Sequence, residues 1–115
     1  MAGPTPLTYD ILLALADADR HGYGIIKEIE AREGPGRAPS TGAMYLALQR
    51  MEGEGLVEDA PSRPAEDDDA RRRYYRITHA GREVAEREST RLAALVAAAR
   101  HKNLLRGATA GGGGA

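Results

Sequence analysis

The chain has 115 residues, 42% of them hydrophobic, which suits one domain with a modest core and makes oligomerisation a natural supplement. It contains no Cys, which excludes disulfides, thiolate metal sites and thiol catalysis, and no apolar run nears the roughly 20 residues of a membrane span. A net charge of −1 is not the basic footprint usual for nucleic-acid binding.

Met1 to Pro6 lacks the basic and apolar regions of a signal peptide, so a soluble, cytoplasmic protein without a membrane partner is expected. Thr5-Pro6 predicts a helix start, with Thr as N-cap and Pro at the first helical position. Leu7, Ile11, Leu12 and Leu15 then recur at helical spacing, and Asp17 to Arg20 makes a polar turn. A second helix begins near His21-Gly22-Tyr23, buries Ile25, Ile26 and Ile29, and stops at Gly34-Pro35-Gly36. A third is expected over Thr41 to Glu54, capped by Ser40 and closed by Gly55.

On that third helix Met44, Ala47, Leu48 and Met51 share one face, while Thr41, Gly42, Tyr45 and Gln49 share the other. The second face is small and hydrogen-bonding, unlike an ordinary solvated face of Lys and Glu. Leu56 to Asp59 reads as a short strand and Tyr74 to Ile77 as its partner, with Tyr75 and Ile77 pointing one way and Tyr74 and Arg76 the other. Between them lies a segment rich in Pro and acids, Pro61 to Arg71, expected to be mobile. Thr78 caps a final helix over about His79 to Leu105, which would span roughly 40 Å. Its stripe of Leu92, Leu95, Val96 and Ala99 calls for a partner, most simply a second copy of the chain.

The order α-α-α-β-β-α predicts a mainly α fold with a small β-ribbon. It corresponds to a winged helix-turn-helix domain over residues 5–78, a dimerisation helix over 79–106 and a disordered tail over 107–115. Such a domain places its third helix in the major groove of double-stranded DNA.

Five segments strengthen this expectation: His21 to Ile26, Ser40 to Tyr45, Leu48 to Met51, Glu54 to Val57, and Arg72 to Arg82. In this order and spacing the chain resembles the PadR-like transcriptional regulators from about Leu7 to about Glu88, in particular their small branch with one long C-terminal helix. The resemblance implies a homodimer, acting mostly as a repressor and relieved by a small aromatic or drug-like effector. Met44 and Leu46 stand near positions where the family commonly has Leu and Pro. The chain has no Trp or Phe, so stacking of a ligand between tryptophans does not carry over.

Charge is unevenly spread. Residues 1–60 hold 5 Lys/Arg against 10 Asp/Glu (−5), residues 61–82 hold 6 against 4 (+2), and residues 83–115 hold 5 against 3 (+2). Salt limits the reach of a charge to about 8–10 Å, so local clusters matter more than the total. Arg71, Arg72, Arg73 and Arg76 form the dense cluster, either holding DNA backbone or neutralising neighbouring acids within the chain. The run Glu66 to Asp69 should keep the wing tip away from phosphates. Ser40, Thr41 and Tyr45 suit phosphate at a helix N-terminus, with Ser40 as a simple cap and Tyr45 as a packing residue the alternatives. Gln49 suits an adenine edge or plain solvent, Gly42 permits close approach, and Arg50 lies at the edge of this face. His21 and Gly22 are read as structural. An effector would be lined by Tyr9, Leu92 and Val96.

Enzymatic readings find no support. His21, His79 and His101 lack metal-ligand spacing, and neither a Gly-x-Ser-x-Gly nor a Walker pattern occurs, so no catalytic residue, metal or cofactor is expected. Two rival functions keep the fold: a protein-interaction module with little DNA binding, and a ligand sensor.

Overall fold

The computed structural model describes residues 3–61 and 72–106. In chain order the elements are α1 (Pro6–Leu15), β1 (Arg20–His21), α2 (Gly22–Glu33), α3 (Thr41–Gly53), β2 (Val57–Asp59), β3 (Tyr74–Ile77) and α4 (His79–His101). The chain forms two compact units, Met1–Ala85 and Glu86–Ala115.

The first unit is built from short helices whose starts are set by side chains. The Thr5 hydroxyl accepts from the Thr8 N–H at 3.2 Å, and Pro6 occupies the first turn of α1. His21 Nδ1 accepts from Gly24 N–H at 3.0 Å and Ser40 Oγ from Ala43 N–H at 3.1 Å, opening α2 and α3. One face of each helix is then sealed: Ile11, Leu12 and Leu15 from α1, Ile25 and Ile29 from α2, and Met44, Ala47, Leu48 and Met51 from α3. Val57 and Tyr75 close this core from the strands, and Val84 and Ala85 of the first turns of α4 pack on it.

The sheet has three antiparallel strands in the order β1-β3-β2, where the sequence suggested a two-stranded ribbon. Arg20 pairs with Tyr75 and His21 with Tyr74, so the expected polar turn ends in a strand. Two residues are too short to display the alternation by which strands are recognised, and their hydrogen-bonding partner lies more than fifty residues away. On the other side of β3, Val57 faces Ile77, Glu58 faces Arg76 and Asp59 faces Tyr75.

Both ends of the α3–β2 connection are tied. Gly55, at φ 79°, donates to Glu52 O, and Leu56 N–H reaches Met51 O at 2.9 Å, a left-handed C-terminal cap that suits glycine. The Thr78 hydroxyl donates to Gly55 O at 2.6 Å and accepts from Gly81 N–H at 3.0 Å, which starts α4 against the α3–β2 connection. Gly81 is required there, since a Cβ would lie 2.2 Å from Leu56 O.

In the second unit α4 stops at His101, four residues earlier than the periodicity suggested. Asn103 takes φ 62°, its N–H reaches Arg100 O, and Leu104 N–H reaches Ala99 O at 2.8 Å. Asn tolerates this left-handed turn, so it ends the helix although Leu104 and Leu105 would prolong the apolar pattern. No helix among the described residues is long and apolar enough to cross a membrane.

Candidate nucleic-acid interface

The geometry of the site follows from α3. With Met44, Ala47, Leu48 and Met51 locked inward, the 100° step per residue turns Thr41, Gly42, Tyr45 and Gln49 outward, and all four are exposed. Ser40 serves as the cap, which commits its hydroxyl to the Ala43 N–H. Arg50 is drawn off this face, its guanidinium donating to the Thr8 hydroxyl at 2.8 Å.

Tyr45 is 43% exposed, and the tip of its ring rests on Gly22, the first residue of α2. A Cβ on Gly22 would stand 2.4 Å from the phenol oxygen, so glycine makes room for the ring. Tyr45 therefore both packs and presents a hydroxyl near the start of α2. Beside it, the His21 ring meets Tyr74 edge-on at 5.1 Å and lies parallel to Tyr23 at 6.4 Å.

The basic cluster divides. Arg71 and the acidic run Glu66 to Asp69 lie outside the described residues, as does the tail over 107–115. Arg73 bridges the Glu52 carboxylate of α3 and the Asp59 carboxylate of β2, donates to the Tyr75 hydroxyl at 3.3 Å and stacks 4.8 Å over that ring. Hydrogen bonds to Asp59 and Glu52 raise the Arg73 pKa further, and the same guanidinium holds Asp59 below the usual carboxylate range. Burial pushes the Tyr75 phenol up, opposed by Arg73. Arg76 pairs with its cross-strand neighbour Glu58 at 2.6 Å. Arg72 reaches His21 Nε2 at 3.5 Å, close to the start of α2.

Arg73 and Arg76 thus spend their charge on acids inside the chain, the alternative left open by the sequence. Each exposed pair contributes little stability by itself. Their geometric effect is larger, because Arg73 fixes the strand pair to the last turn of α3.

On α4, Leu95 and Val96 are exposed at 54% and 43%, and Leu92 and Ala99 are half-buried. Arg91 pairs with Glu88 at 2.6 Å and holds that carboxyl below its ordinary range. Tyr9 is half-buried on α1, in the first unit, whereas Leu92 and Val96 belong to the second.

Sequence reasoning named Leu46 only as a departure from the family pattern and not as a site residue. It is 69% exposed, three residues before Gln49 and on the same side of α3. The signal was available in the helical spacing, since residue 46 falls opposite the buried stripe.

Three helices, a small antiparallel sheet on one edge and a long final helix define the winged helix-turn-helix class. The family model described as the transcriptional regulator PadR-like family matches residues 11–87, and the chain belongs to that family. That family is one of transcriptional regulators. A PadR family transcription regulator from Clostridium difficile superimposes with a TM-score of 0.70 at 26% identity, covering 84% of this chain and 97% of that one. Bacillus subtilis PadR, solved in complex with operator DNA, shares the fold with a TM-score of 0.59 at 20% identity, over 71% of this chain and 45% of that one. An uncharacterized 37.1 kDa protein in a Streptomyces fradiae transposon is 42% identical over 85 residues, 74% of this chain. The present chain spans 22% of the length of that relative.

Proposed function

We propose that this regulator is a homodimeric repressor that binds a pseudo-palindromic operator through α3. The observation that carries the proposal is the outward face of α3. Thr41, Gly42, Tyr45 and Gln49 are exposed together, while the opposite face is sealed in the core. Two such helices would enter successive major grooves about 34–36 Å apart, with Tyr45 and the helix N-terminus on phosphate and Gln49 on a base edge. Arg72 and Arg71 supply backbone contacts in this scheme, while Arg73 and Arg76 pair with acids of β2. The fold shared with a PadR solved on operator DNA supports the choice of double-stranded DNA as partner.

The dimer is assigned to the stripe of Leu92, Leu95, Val96 and Ala99 on α4, whose exposed Leu95 and Val96 a second copy would cover. A small aromatic or drug-like effector that relieves repression belongs to the same proposal through the family resemblance.

A second reading, a protein-interaction module, draws support from Arg73 and Arg76 being matched to acids within the chain. The two are separated by replacing Tyr45 and Arg72 by Ala. The operator-binding proposal expects loss of DNA affinity with the dimer intact in sedimentation; unchanged DNA affinity would contradict it. Leu95→Glu is expected to yield monomers, and a dimer persisting at low micromolar concentration would remove the assigned seam.

A further inference from the structure

We propose that Leu46 is a specificity residue of the α3 face, packing in the major groove against the C5-methyl group of a thymine one or two steps from the base assigned to Gln49. The inference rests on the DNA-binding function proposed above and names a base feature that function would recognise.

The setting of Leu46 carries the argument. A lone exposed leucine is ordinary. Leu46 is 69% exposed, more than Leu13, Tyr23 or Tyr45 in the same unit, and it stands midway along the outward face. Gly42 lies one turn before it and Gly53 two turns after, and among the described residues nothing beyond the adjacent helix backbone comes within 4 Å of a Cβ placed on either. Packing among the described residues calls for neither glycine, and glycine weakens a helix relative to alanine. The neighbouring cation, Arg50, is turned away to the Thr8 hydroxyl. What remains is an aliphatic tip raised from a low helix surface, free to descend into a groove.

Groove chemistry selects the contact. Thymine alone presents a methyl group on the major-groove edge, whereas cytosine and adenine present amino donors there and guanine presents acceptors. A leucine offers no hydrogen bond and would strip water from those polar groups without replacing it, so it discriminates in favour of the methyl. Residues three apart on a helix hold their Cβ atoms about 5–6 Å apart. Bases on one strand are stacked about 3.4 Å apart. Leu46 and Gln49 therefore address bases one or two steps apart, a thymine and an adenine.

The test uses the full chain and a duplex enriched from a random pool by that chain. Each thymine of one half-site is replaced in turn by deoxyuridine, which removes the C5-methyl group and nothing else. At one position the wild-type chain is expected to bind about fourfold more weakly, the equivalent of about 0.8 kcal/mol for one buried methyl. Leu46→Ala should bind the thymine and uridine duplexes equally, and Leu46→Met should keep the discrimination. An equal penalty in Leu46→Ala, or no sensitive thymine, overturns the assignment of Leu46 while selective DNA binding stands. Failure of the wild-type chain to enrich any duplex overturns the DNA-binding function and this inference together. Capture of a protein through Leu46 without any DNA binding has the same consequence.

Discussion

Replacing Gly22 by Ala probes the seat of Tyr45 on the proposed recognition helix. The added Cβ would sit 2.4 Å from the Tyr45 oxygen and 2.5 Å from Cζ, against the roughly 3.5 Å of a comfortable contact, so the ring tip must retreat by about 1 Å. The obstacle is the far end of a flexible side chain. A small χ1 rotation clears it, at about 0.5–1 kcal/mol of rotamer strain and a few lost contacts. Gly22 is not among the residues with positive φ, so Ala accepts its backbone and regains about 0.5 kcal/mol by restricting the unfolded chain. The balance is a destabilisation of at most about 0.5 kcal/mol in the wild-type background. In a Tyr45→Ala background the obstacle is gone, and the same substitution should stabilise by about 0.5 kcal/mol. Urea denaturation of the four proteins, followed by circular dichroism, measures this coupling. An identical effect of Gly22→Ala in both backgrounds would refute the contact. If Tyr45 acts on phosphate, Gly22→Ala should also weaken DNA binding by more than its small effect on stability explains.

Arg73→Ala should loosen the link from α3 to β2 and β3 yet leave the salt dependence of DNA binding unchanged, because its charge is matched to Glu52 and Asp59. Arg72→Ala should lower the slope of log affinity against log salt by about 1 per subunit, about 2 for the dimer, and equal slopes for both variants would contradict this division. Gly81→Ala drives a Cβ to 2.2 Å from a backbone oxygen that cannot swing aside. It should cost about 2 kcal/mol or more in denaturant unfolding, and a neutral result would contradict the close approach of Gly81 to Leu56 O. Burial, followed by the charge and hydrogen bond of Glu33, pushes Asp10 from its ordinary 3.8 up to about 6, opposed by Arg32. The folded chain therefore holds the Asp10 proton more tightly than the unfolded chain does. The associated stability is present below pH 3.8 and lost as pH rises through about 6. Asp10→Asn should accordingly stabilise the chain at pH 7 and not at pH 3.5, and a gain independent of pH would dismiss the Asp10–Glu33 interaction.

Local chemistry made much of the fold legible. Thr5, Ser40 and Thr78 announce three helix starts through short hydroxyl side chains, and the buried stripe of α3 follows directly from the spacing of Met44, Ala47, Leu48 and Met51. The features that escaped depend on distant partners or on a single unusual backbone. β1 exists because Arg20 and His21 meet Tyr75 and Tyr74, and two residues carry no pattern of their own. The early stop of α4 turns on one left-handed Asn, against two following leucines that continue the apolar rhythm. In the site, the residue types were readable and their pairings were not. Four nearby arginines look alike in sequence, and only the register of β2 and β3 brings Arg76 to Glu58 and Arg73 to Asp59. Gly22 reads as a helix-start glycine until Tyr45, far along the chain, is seen lying on it.

The most direct test of the central claim is fluorescence anisotropy of the full chain on the DNA upstream of its own gene, against a scrambled duplex, over a series of salt concentrations. Tight binding to the upstream duplex alone, weakening linearly in log salt, is the result expected of a dimer reading an operator through α3. Equally weak binding to both duplexes, repeated when the chain is offered a random pool, would contradict DNA recognition and leave the interaction-module reading in its place.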